Sequence, residues 1–145
     1  MTYTMQQRGA GRMKSAQTYA SIGLETEVLS ASPERLITLL FDGAQAAIGK
    51  ARLYLQQGNI EGRGKAISQA INIVESGLKA SVDLEAGGEL ANNLVATYEL
   101  IARKLLLANL NADAENLALA EQLLCNIGDA WRTAVDTKRP VITSL

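Results

Sequence analysis

Apolar residues recur in this chain at intervals of three and four, in four separate runs, and that spacing admits little other than helix. Ile37, Phe41, Ala44, Ile48, Ala51 and Leu55 form the first run. Ile60, Ile67, Ile71, Val74, Leu78 and Val82 form the second, and Leu90, Leu94, Tyr98, Ile101, Leu105 and Ala108 the third. Leu117, Ala120, Leu124, Ile127, Trp131 and Val135 complete the set. Leu and Ala dominate the apolar 48%, and only six residues are aromatic. Unbranched side chains lose little rotamer freedom in a helix, so composition agrees with the period.

Turn chemistry separates the runs. Ser32 is placed to cap the first helix, Pro33 suits its first position because the missing N–H would be unpaired there, and Glu34 sits in the positive first turn. QQGN at 56–59 ends that helix, AGGE at 86–89 reads as a stop after a second helix running to about Glu85, and NADAEN at 111–116 offers Asp113 as the cap of the fourth. Four helices of about 20 to 24 residues with short connections predict an all-α, antiparallel up-down four-helix bundle about 30 Å long. The 145 residues suffice for one domain. The expected division is a disordered extension over 1–14, an N-terminal arm over 15–31 packed on the bundle, the bundle over 32–136, and a flexible tail over 137–145.

The composition closes off most chemistry. The chain has no histidine, so the Glu-x-x-His pairs of di-metal bundles, the usual haem ligand, and a phosphorylatable histidine are all missing. A Ser or Cys triad lacks its base. No P-loop, G-x-G-x-x-G or G-x-S-x-G is present, and Glu34, Asp42, Glu75, Glu99, Glu121 and Asp129 fall on polar helix faces. The reading is therefore not an enzyme, with no cofactor and no metal. Residues 25–136 carry all fifteen carboxylates against nine basic side chains, a net charge of about −6, which argues against nucleic acid as partner. Arg8, Arg12 and Lys14 make only the start of the chain basic. A lone cysteine, Cys125, and the lack of an apolar run of about 20 residues fit a cytoplasmic protein without stable membrane insertion.

What remains is an excess of apolar surface. A bundle helix needs an apolar stripe somewhat over 100° wide, yet Ala96, Leu100 and Leu107 form a second stripe across the third helix. Ala66, Ala70 and Ile73 lie away from the main line of the second helix, and Leu39 falls outside the seam of the first. Contiguous apolar patches mark partner sites, so these residues are expected to line a groove for an amphipathic helix. On this reading Leu100→Asp or Ile73→Asp abolishes partner binding without changing the melting temperature. The arm carries Tyr19, Ile22, Leu24, Val28 and Leu29, too apolar for a solvated tail. It either covers the groove until a ligand displaces it or caps one end of the core. The alternative from another class is a structural homodimer that buries Leu100 and Leu107 against its own copy, which sedimentation would reveal.

The runs SASPERLITLLFDGA, AINIVESGLKA, D-x-E-x-GGELA-NL, YELIARKLLLANL and LL-x-x-I-x-x-AW, in order over residues 16–135, resemble the flagellar secretion chaperone FliS family. The resemblance implies a cytosolic export chaperone with an antiparallel four-helix bundle fold. It implies binding of the disordered C-terminal segment of flagellin, prevention of its premature polymerisation, and delivery to the cytoplasmic domain of the flagellar export gate. A flagellar anti-sigma factor is a further partner implied for some members. Tyr19 matches the arm tyrosine to which the family assigns groove covering and partner contacts, and with Ile22 it joins the expected partner-binding set. The chain departs from the pattern in its longer, more basic start and in Ala16, where a bulkier apolar residue often stands.

Overall fold

A computed structural model describes residues 31–138. Helix α1 spans Pro33–Gln57, α2 spans Ile60–Asn72, α3 spans Leu84–Asn111 and α4 spans Ala114–Lys138. The start of α1 is as expected: the Arg35 N–H donates to Ser32 Oγ at 3.1 Å, with Pro33 in the first turn. Gly58, at φ 70°, closes α1 in the left-handed region, which glycine enters without a Cβ clash. Asn59 then caps α2 by accepting the Gly62 N–H at 2.9 Å, and Asp113 caps α4 by accepting from Glu115 and Asn116.

The second and third runs differ from expectation at their junction. Helix α2 continues through a wider π turn over Ile73–Leu78 and a 3-10 turn over Lys79–Ser81, and ends there rather than near Glu85. Val82 is extended, and Asp83 begins α3 by accepting the N–H groups of Glu85 and Ala86, each at 3.1 Å. The two glycines are therefore inside α3, not between helices. Gly88, at φ 56° and ψ −131°, breaks the helix after one turn, and Glu89 onward resumes it.

Neighbouring helices run antiparallel, and their cross-contacts fix the register. Along α1 and α4, Thr38 meets Trp131, Gln45 meets Cys125 and Arg52 meets Glu121, with numbers rising on one helix and falling on the other, and Arg132 reaches Asp42 near the first of these. Between α2 and α3, Arg63 binds Asn109 and Lys79 approaches Glu99. Gly77 of the π turn lies so close to α1 that a Cβ there would sit 2.8 Å from Leu40 Cδ2. The result is an all-α four-helix bundle. Leu40, Phe41, Ile48, Ile67, Ile101 and Leu124 fill its centre. No charged or hydrogen-bonding side chain among the described residues is fully buried apart from the tyrosine Tyr98, so apolar burial holds the bundle together.

Candidate functional site

At the end of the bundle where α1 and α3 begin and α2 and α4 finish lies an apolar groove of about 730 Å³. Ile37 and Phe41 form its α1 wall, and Leu78 and Val82 close it from the end of α2. Leu90, Leu94 and Tyr98 come from α3, and Ile127 and Trp131 from α4. These positions continue the core stripes of their helices beyond the point where a facing side chain covers them. Leu90 is the extreme case, 76% exposed although in phase with the α3 core. The junction at Val82–Gly88 forms part of the rim: Val82, Asp83, Ala86 and Gly87 line the groove ahead of the break at Gly88, and Leu90 follows it.

The polar groups around the groove are mostly engaged with their own chain. The Trp131 indole N–H donates to Thr38 Oγ1 at 3.0 Å, and that hydroxyl donates to the Glu34 carbonyl at 3.2 Å. The indole is thereby fixed as a wall. Ser81 donates to the Gly77 carbonyl at 2.6 Å, and Asp83 caps α3. Below the groove rim, Arg132 bridges α4 to Asp42 of α1 at 2.6 Å and to Asp129 at 3.4 Å. Such exposed pairs are worth about 0.2 to 1 kcal/mol each. Burial pushes the Tyr98 hydroxyl well above the ordinary tyrosine range. Burial, with the carboxylates of Glu121 and Asp129, also raises the Cys125 thiol against the opposing pull of Arg132 and Arg52, so this thiol holds its proton. The Lys79 ammonium is favoured first by its hydrogen bond to Glu75. No cluster of metal-ligating side chains occurs among the described residues, and no helix among them is long and apolar enough to cross a membrane.

The expected groove residues divide into three groups. Tyr19 and Ile22 lie outside the described residues. Leu39, Ala66, Ala70 and Ile73 were expected on an open face and are instead buried, Leu39 at 5% exposure and Ile73 at 0%. The reason is geometric: each bundle helix packs against two neighbours, so its buried arc is wider than one stripe. The π turn, which closes i→i+5 instead of i→i+4, carries Ile73 and Gly77 inward along with Val74 and Leu78. Ala96, Leu100 and Leu107 do remain on the outer side of α3, with Ala96 exposed, Leu100 36% exposed and Leu107 half-buried. They are not among the residues lining the 730 Å³ groove. Val82, Leu90, Leu94, Ile127 and Trp131 were read as core, because their phase is that of the core. Only their position near the open end of the bundle distinguishes them.

A family model described as Flagellar protein FliS matches residues 15–138. The chain is 49% identical over 116 residues to the flagellar secretion chaperone FliS of Salmonella typhimurium, covering 80% of this chain and 86% of that protein. It is 45% identical over 122 residues to the protein of the same description from Escherichia coli, covering 84% and 90%. Flagellar secretion chaperone FliSB of Pseudomonas aeruginosa is 35% identical over 119 residues, covering 82% and 94%. A four-helix bundle with an open apolar groove, matched over nearly its whole length in this way, belongs to the FliS family of flagellar secretion chaperones.

Proposed function

We propose that this protein binds the C-terminal segment of flagellin in the cytosol, keeps it from polymerising early, and carries it to the cytoplasmic domain of the flagellar export gate. The observation that carries the reading is the 730 Å³ groove walled by Phe41, Leu94, Ile127 and Trp131, on a chain of the FliS family. A segment that becomes helical when packed in a filament has an apolar face to hide, and this groove offers that face a matching surface without catalysis or nucleotide. Affinity comes from buried side chains less the cost of ordering the client, so it responds weakly to salt. A flagellar anti-sigma factor is a further proposed partner.

Two apolar surfaces compete for the role, the groove and the outer face of α3 with Ala96, Leu100 and Leu107. The groove is favoured because it is concave and walled by four elements. Calorimetric titration with a flagellin C-terminal peptide distinguishes them. Leu90 is exposed, so Leu90→Asp leaves the fold intact, and removing one leucine contact worth about 1.5 to 3 kcal/mol weakens binding about tenfold or more. Leu100→Asp is expected to change affinity less than twofold or so. Undiminished affinity in Leu90→Asp, with loss in Leu100→Asp, would move the site to α3.

A further inference from the structure

Tyr98 is a buried aromatic lining the groove, only 3% exposed. Its ring is packed in the core, but its hydroxyl makes no hydrogen bond with any described residue. No enclosed side-chain oxygen or nitrogen among the described residues is left without a partner, so this hydroxyl is not sealed in the core, and Tyr98 lines the groove. The other polar side chains that line the groove or brace its wall are committed: Trp131 to Thr38, Ser81 to Gly77, and Asp83 to the start of α3. Among the described residues lining the groove, the Tyr98 hydroxyl is thus the one uncommitted side-chain donor.

Resting on the proposed docking of the flagellin segment there, we infer that the Tyr98 hydroxyl donates a hydrogen bond to a neutral oxygen on that segment. The acceptor is a side-chain amide or hydroxyl oxygen, or a carbonyl freed at a helix end. A carboxylate is disfavoured because it would lose its hydration in an apolar groove without a countercharge. Burial opposes ionisation of the phenol, so the donor persists across the physiological pH range. When an apolar occupant covers the groove with no acceptor at this depth, the hydroxyl is stripped of water and left unpaired. The group therefore selects among greasy helices as well as adding affinity, since an unpaired buried donor is penalised more than a formed bond is rewarded.

Tyr98→Phe removes one oxygen and keeps the ring. Titrated with the flagellin C-terminal peptide, this variant is expected to bind about fivefold to tenfold more weakly, with a less favourable enthalpy and a melting temperature equal to or above that of the parent. In the parent protein with labelled tyrosine, the Tyr98 Cζ resonance, assigned by its absence from the variant, is expected to shift when peptide saturates the groove. A merely structural role moves neither readout. If the parent binds and Leu90→Asp does not, affinity within twofold for Tyr98→Phe, or an unmoved Cζ resonance, overturns the hydrogen bond alone. A parent that fails to bind the peptide overturns the groove assignment as well.

Discussion

Ala112, between α3 and α4, holds φ 50° and ψ 48°, the left-handed region in which a Cβ crowds the following carbonyl at a cost of about 1 to 2 kcal/mol. Its N–H still donates to the Ala108 carbonyl, so the turn is a proper helix ending with the wrong residue in it. Ala112→Gly removes the crowding and loosens the unfolded chain, and the difference favours the native state by about 0.5 to 1 kcal/mol. A thermal melt is expected to rise by about 2 to 4 °C, with flagellin peptide affinity unchanged because the turn lies at the far end from the groove. Ile73 and Leu90 are both large and aliphatic, and a helical wheel puts the first outside and the second inside. The reverse holds, at 0% and 76% exposure. An aspartate at Ile73 is a buried unpaired charge and reports on folding, so it cannot serve as the probe of binding that the sequence suggested. An aspartate at Leu90 can.

The π turn of α2 shows how an element can contradict its own propensities. Glycine inside a helix is about 1 kcal/mol less favourable than alanine, so Gly→Ala in this bundle should stabilise it wherever space allows. Gly49, in α1, has nothing within 4 Å of a built Cβ, whereas Gly77 would place one 2.8 Å from Leu40 Cδ2, on a side chain with 0% exposure. Gly49→Ala is expected to raise stability in urea unfolding by up to about 1 kcal/mol. Gly77→Ala is expected to lower it by about 1 to 2 kcal/mol, because overpacking between α1 and α2 outweighs the propensity gain. Equal stabilisation by both would mean that α1 and α2 do not approach closely at Gly77. The start of α1, the caps at Ser32 and Asp113, and the four-helix count were all legible because each depends on local chemistry. The end of α2 was not, since nothing in AINIVESGLKA announces a π turn, and AGGE carries the residues of a stop. Asp83 was the available signal: an aspartate followed by Leu84 and Glu85 is an N-cap pattern, and it places the helix start ahead of the glycines.

For the molecule as a whole, the groove's location matters more than its composition. It opens where the chain enters α1, and Ile37 on its wall is only four residues beyond Pro33. The twelve residue steps from Tyr19 to Ala31 reach at most about 40 Å when extended, more than enough for Tyr19, Ile22, Leu24, Val28 and Leu29 to lie along the groove. A segment tethered this closely has an effective concentration on the order of millimolar, so even weak apolar contacts compete with a dissolved client. A covering arm and a core-capping arm remain equal readings of the sequence, because periodicity does not reveal where a bundle opens, and a deletion separates them. For a covering arm, deleting residues 1–24 is expected to tighten binding of the flagellin C-terminal peptide severalfold in a calorimetric titration. If arm and client compete for the same surface, the gain disappears when the same deletion is made in Leu90→Asp. Weaker binding on deletion would assign Tyr19 to the client's own surface, and unchanged binding would return the arm to a structural role. Either result rules out competition between arm and client for the groove.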